Sequence, residues 1–165
     1  MKTAAGSKLE GLYAAHIDAA VRLAYLMTGN REQAEDLAQE AFVKIAGRFY
    51  DLRSEEAFGA YLRTTVVNLS RGHLRRLRTQ RDYLRRQRAE DETVRPYDPS
   101  EGSDTWAALQ RLAHRQRAAL VLRYYEDLSE RQTADALGCS VSAVKSLVSR
   151  GLAELRAHMS TGEEA

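Results

Sequence analysis

The chain has 165 residues, of which 44% are hydrophobic and 29% charged, and its net charge is +2. A single cysteine excludes an intrachain disulfide framework, and no apolar run approaches the ~20 residues that span a bilayer. The N-terminal residues show no apolar segment of the kind found in secretion signals, so we expect a cytoplasmic protein without membrane insertion.

Helix formers dominate the composition, and the only two prolines, Pro96 and Pro99, lie close together. Long helices are therefore unobstructed before and after them. We predict an all-α fold of two small helical domains joined by a flexible linker. The first domain is expected at residues 8–89, the linker at 90–104 and the second domain at 105–160.

The first predicted helix covers residues 9–27 and the second covers residues 31–49. Between them, Gly29 can end the first helix and Asn30 can cap the second. Helical spacing places a set of small and apolar residues of the second helix on its core side. A polar face follows the same spacing on another side, and it consists of Asp36, Gln39, Glu40 and Val43. Taken alone, this face could be an ordinary solvated surface.

A third helix is predicted after a loop at residues 51–54, and it continues past residue 80. Eight arginines fall between residues 71 and 88. A local positive field of this kind suits a phosphate backbone, although an exposed helix end is nearly as good an explanation. Asn68 and Arg71 stand beside this surface, where a base or a phosphate could be engaged.

The acidic segment at residues 91–104 holds five carboxylates against one arginine. After it we predict helices at residues 105–122, 129–137 and 141–158. The last two form a helix-turn-helix, in which Ser129 caps the first helix, Ala134 allows a close crossing and Gly138 makes the turn. The outward positions of the second helix are Ser142, Lys145, Ser146, Ser149 and Arg150, which can reach base edges or phosphates. The alternative is a helical hairpin with a solvated basic face.

No enzyme or metal signature stands beside these features. The four histidines lack ligand spacing, and neither a phosphate-cradling loop nor a set of catalytic residues is recognisable. We therefore expect no catalytic residues, no metal and no cofactor. Cys139 is interpreted as a packing residue of the turn rather than a redox sensor.

Three segments of the first half resemble region 2 of bacterial sigma factors: residues 34–42 (AEDLAQEAF), 58–68 (FGAYLRTTVVN) and 73–76 (HLRR). Residues 128–138 (LSERQTADALG) and 144–146 (VKS) resemble region 4. Two regions joined only by a linker are typical of the extracytoplasmic-function (ECF) group, and the chain is similar to its actinobacterial SigE-like subfamily.

The resemblance implies a role for each surface. The face of Asp36, Gln39, Glu40 and Val43 would dock on the β′ clamp helices of core RNA polymerase. The β flap of the polymerase is a second expected contact of the chain. The melted minus-ten element would be held by Leu52, Arg53, Asn68, Arg71, Arg75 and Arg76. The minus-thirty-five element would be read by Ser142, Lys145, Ser146, Ser149 and Arg150. The acidic linker would thread the RNA exit path, or serve only as a tether.

Three positions depart from the pattern of the family. Val141 stands where proline is common, Leu147 where arginine is common, and Tyr61 where tryptophan is common. The function implied is a sigma factor that directs promoter-specific initiation, commonly held inactive by an anti-sigma partner. The alternative is a stand-alone helix-turn-helix regulator with an N-terminal dimerisation domain.

Overall fold

The computed structural model describes residues 4–48, 54–87 and 103–161. Within these ranges all regular structure is helical. The seven α-helices are α1 (Ala4–Thr28), α2 (Arg31–Ala46), α3 (Glu55–Gln87), α4 (Asp104–Arg111), α5 (His114–Leu120), α6 (Glu130–Leu137) and α7 (Val141–Ser160). The all-α prediction is confirmed.

The turn between α1 and α2 is built by the two residues that the sequence indicates. Gly29 has φ 68°, a left-handed conformation that costs glycine little. Asn30 then caps α2, because its side-chain oxygen accepts a hydrogen bond from the N–H of Gln33 at 3.0 Å. Helix α2 ends at Ala46, so the predicted end at residue 49 is too late.

Helices α1, α2 and α3 pack around a common core. Its fully buried side chains include Leu23, Met27, Ile45, Phe58 and Val66. The small residues of α2 let the helices approach closely, since Ala34, Ala38 and Ala41 are all completely buried. The predicted core face of α2 is therefore confirmed, and its polar face is left outside.

The helix predicted at residues 105–122 is wrong, because the chain breaks it into α4 and α5. Leu112 adopts an extended backbone with ψ 148°. The Arg117 guanidinium fills the resulting corner and donates to the carbonyls of Leu109, Gln110 and Leu112 at 2.7–3.1 Å. No glycine or proline marks this break, so the sequence carries no local signal for it.

Helix α5 continues into a single π-helical turn, Val121–Tyr125. Two residues after this turn, Asp127 has a φ of 53°, which lies in the left-handed region that Asp tolerates better than most residues. Helices α6 and α7 follow as the predicted pair, joined by Gly138.

The two halves of the chain share one hydrophobic core. Ala118, Val121, Leu122, Leu128 and Ala136 from the second half belong to the same buried cluster as α1, α2 and α3. Nothing in the sequence pattern of either half indicates this contact, because each amphipathic helix is consistent with packing inside its own domain.

Candidate nucleic-acid and polymerase interfaces

Local hydrogen bonds fix the start and the end of α6 in the helix-turn-helix. Ser129 and Gln132 form a reciprocal capping box, with bonds of 3.0 and 2.9 Å between each side chain and the other's N–H. Gly138 has φ 63°, and the N–H of Cys139 donates to the Ala134 carbonyl at 3.1 Å, which closes α6. Both predicted positions, Ser129 and Gly138, are therefore where the fold needs them.

Helix α7 begins without proline but with a strong cap. Ser140 Oγ accepts the N–H of Ala143 at 3.1 Å. The departure at Val141 therefore does not leave the start of this helix unconstrained. Val144 is completely buried and anchors the inner side of α7.

The predicted DNA-reading residues of α7 are all exposed: Ser142, Lys145, Ser146, Ser149 and Arg150. One of them has a partner that the sequence analysis missed, since Lys145 Nζ lies 3.7 Å from Glu130 Oε2 in the first turn of α6. A surface ion pair of this kind is worth at most ~1 kcal/mol. The charge of Lys145 is thus partly balanced by the Glu130 carboxylate.

The predicted polar face of α2 is also exposed at all four positions, with Val43 73% exposed. Gln39 Nε2 donates to the hydroxyl of Tyr13 on α1, and the Tyr13 ring stands edge-on to Phe42 with centroids 4.9 Å apart. The face therefore joins carboxylates to two exposed apolar groups, Val43 and Tyr13. Tyr13 could not be found from helical spacing, because it belongs to another helix.

On α3, Asn68, Arg71, Arg75 and Arg76 are exposed. Asn68, Arg71 and Arg75 follow one another at i, i+3 and i+7 and so share a face. Leu52 and Arg53, which were predicted to contact the same DNA, lie outside the described residues. The structure therefore brings Asn68, Arg71 and Arg75 onto one face of α3, whereas Arg76 lies about 100° farther around the helix from Arg75.

Beneath this surface α3 meets the second half of the chain. Ser70 is completely buried, and its hydroxyl donates to the Val67 carbonyl and lies 3.0 Å from His114 Nε2. Burial, followed by the charges of Arg117 and Arg71, lowers the pKa of His114 to about 4. The histidine is therefore neutral at physiological pH and serves as a structural contact.

Polar groups continue this contact along the end of α1. Gln110 Nε2 donates to the Leu26 carbonyl at 2.9 Å, and Arg117 donates to the Met27 carbonyl. Tyr25 and Trp106 stack with ring centroids 4.8 Å apart. Burial lowers the pKa of Arg117 to about 10, which still leaves it charged at neutral pH.

At the other side of the interface lies Glu126, which follows the π-helical turn. Burial raises the pKa of its carboxyl, against the opposing effect of Arg63 and Arg22 from the first half. An open groove of about 1250 Å³ separates the two halves elsewhere, between the outer part of α3 and the corner of α4 and α5.

Among the described residues, no histidine, cysteine, aspartate and glutamate side chains cluster as metal ligands would. Over the same ranges, no helix combines the length and apolar character required to cross a bilayer.

Two family models match the chain. The model for sigma-70 region 2 matches residues 12–80, and the model for sigma-70 region 4 matches residues 104–155. The RNA polymerase sigma-E factor of Streptomyces antibioticus is 34% identical over 131 residues, covering 78% of this chain and 71% of that protein. This chain belongs to the sigma factors of bacterial RNA polymerase.

Further relatives place this sigma factor in the ECF group. The ECF RNA polymerase sigma factor SigE of Mycolicibacterium smegmatis is 33% identical over 153 residues, which cover 87% of this chain and 58% of that protein. The sigma-E factor of Streptomyces coelicolor is 32% identical over 149 residues, covering 84% and 78%. These matches favour the initiation factor over the stand-alone regulator.

Two solved structures share the fold of this sigma factor. The sigma factor RpoE of Bartonella quintana, in complex with the anti-sigma factor NepR, has a TM-score of 0.68 at 22% identity, covering 93% of this chain and 97% of that one. CnrH, in complex with the cytosolic domain of CnrY, has a TM-score of 0.66 at 24% identity, covering 93% and 88%.

Proposed function

We propose that this sigma factor binds core RNA polymerase through the exposed face of α2 and directs it to promoters through α3 and α7. The observation that carries the proposal is the α2 face, where Asp36 and Glu40 stand beside the uncovered Val43 and Tyr13. This face belongs to α2 and is separate from the helix-turn-helix of α6 and α7. Carboxylates around an apolar centre suit a basic protein partner.

The test of core binding is the combined change Asp36→Ala and Glu40→Ala. We expect affinity for core polymerase to fall by about 10- to 100-fold, because two charges leave the contact. The matched control is Asp18→Ala with Glu56→Ala, which removes two exposed carboxylates on α1 and α3. Binding of both variants to labelled core is measured by fluorescence anisotropy. Equal losses in the two variants would refute the assignment.

For the minus-ten element we propose that Asn68 lines the pocket of an extruded base, with Arg71, Arg75 and Arg76 on the backbone. Extruding a base costs a few kcal/mol, which such contacts must offset. The experiment is Asn68→Ala in holoenzyme on two templates, one closed and one with the minus-ten element already unpaired. The defect is expected on both, since the pocket is lost, whereas Arg75→Gln should weaken binding and reduce its salt dependence.

For the minus-thirty-five element we propose that α7 enters the major groove with the five exposed residues of its outer face. Arg150→Ala should cost ~1–3 kcal/mol of promoter binding if the guanidinium contacts a base. The ion pair with Glu130 gives a second test, because Glu130→Gln releases Lys145 without touching α7. We expect Glu130→Gln to tighten promoter binding modestly at low salt, and an unchanged affinity would argue that Lys145 makes no phosphate contact.

We also propose that this sigma factor works in the cytoplasm, performs no catalysis of its own and is held inactive by an anti-sigma partner. Support comes from the structure of similar fold determined with the anti-sigma factor NepR, and from the role of polymerase as the catalyst in the family. Affinity capture from the native cell tests this directly. If core polymerase is captured and no further protein is, the proposal of an anti-sigma partner is refuted.

A further inference from the structure

The groove between the two halves of the chain takes one wall from each half. One wall is the outer part of α3, and the other is the corner between α4 and α5. The volume of about 1250 Å³ is of the same order as the roughly 300–1000 Å³ of small-molecule sites. Because the walls belong to different halves, the groove exists only while the halves are packed together.

The lining of this groove is basic. Among the described residues, six arginines and three carboxylates contribute to it. Arg31 already pairs with Glu35 at 3.5 Å, and Arg117 donates to backbone carbonyls. The remaining four are exposed, and within the described ranges their guanidinium groups form no ion pair or hydrogen bond: Arg78, Arg81, Arg85 and Arg111. We call these the four unpaired arginines.

The four unpaired arginines come from both walls. Arg78, Arg81 and Arg85 belong to α3, and Arg111 is the last residue of α4. From Arg78 to Arg85 the helix rises about 10 Å, so a ligand with several phosphate groups can engage more of them than a single phosphate can. The planar guanidinium group matches phosphate oxygens with two parallel hydrogen bonds. The charges of the groove therefore suit a small polyphosphate.

The groove also has an apolar part. Leu74 and Leu77 on α3 and Trp106 on α4 are half-buried and line it. Sites for small organic molecules typically combine apolar surface with a few polar groups that fix orientation. An aromatic base can pack against this surface, whereas an inorganic polyphosphate cannot make use of it. The combination fits an organic ligand that carries both a ring system and several phosphates.

We propose that the groove binds a nucleoside polyphosphate, with its phosphates on the four unpaired arginines and its base against Leu74, Leu77 and Trp106. The inference goes beyond the proposed function and requires none of the polymerase or promoter contacts. Because the ligand touches both α3 and α4, it binds the packed chain more tightly than a chain whose halves are apart. Its binding therefore shifts the population towards the packed form.

The test uses the full chain and follows the fluorescence of Trp106, which is the only tryptophan in the sequence. ATP is titrated at low salt without Mg²⁺, which would itself occupy the phosphates, and calorimetry gives the affinity in parallel. Inorganic tripolyphosphate is the second probe, since it carries the phosphates without the base. ATP should change the emission of Trp106 and bind at least about fivefold more tightly than tripolyphosphate, because a base stacked on an aromatic ring adds that much.

Two variants each remove one arginine from one wall, Arg81→Gln on α3 and Arg111→Gln on α4. The matched controls are Arg86→Gln on α3 and Arg156→Gln on α7, which change exposed arginines outside the lining of the groove. Each wall variant should weaken ATP binding about three- to tenfold, because a charge-assisted hydrogen bond to phosphate is lost. Each control should weaken it by less than about twofold.

Any one of three results would overturn the proposal. Equal losses in Arg81→Gln and Arg86→Gln would mean that ATP binds anywhere on the basic helix. A loss in Arg81→Gln without one in Arg111→Gln would mean that the ligand does not bridge the two walls. Equal affinities for ATP and tripolyphosphate, with unchanged Trp106 emission, would place the base outside the groove. Because the titration contains neither polymerase nor DNA, these results leave the proposed function to its own experiments.

Discussion

Replacing Arg117 by methionine should destabilise the fold by about 3–5 kcal/mol. Arg117 is 6% exposed, and its guanidinium donates to the backbone carbonyls of Met27, Leu109, Gln110 and Leu112. The Leu109 carbonyl keeps a second partner, the N–H of Leu112. The other three have no further hydrogen bond among the described residues, and each buried carbonyl left unsatisfied costs at least about 1 kcal/mol.

The measurement is urea unfolding followed by far-ultraviolet circular dichroism. With a denaturant slope of about 2 kcal/mol per molar urea, the midpoint should fall by roughly 2 M. Arg111→Met, at an exposed position one helix earlier, is the matched control and should shift stability by less than about 0.5 kcal/mol. Equal midpoints for the two variants would refute the idea that Arg117 holds the corner between α4 and α5 together.

Three further changes test other parts of the fold. Between pH 6.5 and about 4, the unfolded chain takes up a proton before His114 does, because burial and neighbouring arginines lower its folded pKa to about 4. His114 therefore leaves the free energy of unfolding undiminished above pH 6.5 and lowers it on acidification, by at most about 3 kcal/mol. Urea midpoints measured at several pH values should depend less on pH in His114→Gln than in the natural chain. Gly29→Ala should lower the free energy of unfolding by about 1–2 kcal/mol, since φ is +68° and the new Cβ would lie 2.7 Å from the Gln110 side-chain oxygen. The control is Gly72→Ala, which has open space around it and should be neutral or stabilising. Both are measured by thermal unfolding. Ser129→Ala should lower the free energy of unfolding by about 1 kcal/mol through loss of the capping box. An unchanged melting temperature would contradict this prediction.

The parts of the fold that the sequence predicts well are those decided by local chemistry. Asn30, Ser129 and Gly138 act within three or four residues of themselves, so their capping and turn roles follow from residue type and position. The polar face of α2 is similarly local, because one helical period sorts Asp36 and Glu40 from the buried alanines.

The features that the sequence does not predict depend on contacts between segments that are distant along the chain. Arg117 resembles the many solvated arginines of the chain until the fold places the Met27 carbonyl beside it, 90 residues away in sequence. The same holds for Tyr13 beside Gln39, and for Glu130 beside Lys145. The break at Leu112 belongs with them, since a buried side chain rather than a glycine or proline makes that corner. The domain bounds and the residue roles at the DNA surfaces stay predictions.

The packed contact between the two halves makes promoter binding and internal packing competing equilibria. Elements centred near positions −10 and −35 lie roughly 85 Å apart on straight duplex, at 3.4 Å per base pair. Under the proposed roles of α3 and α7, the contact through Arg117, His114 and the Tyr25–Trp106 stack has to open before one chain can engage both elements. The free energy of that contact is therefore subtracted from the affinity for the promoter. A ligand that prefers the packed form inhibits in proportion to its preference, even if every DNA-reading side chain stays uncovered.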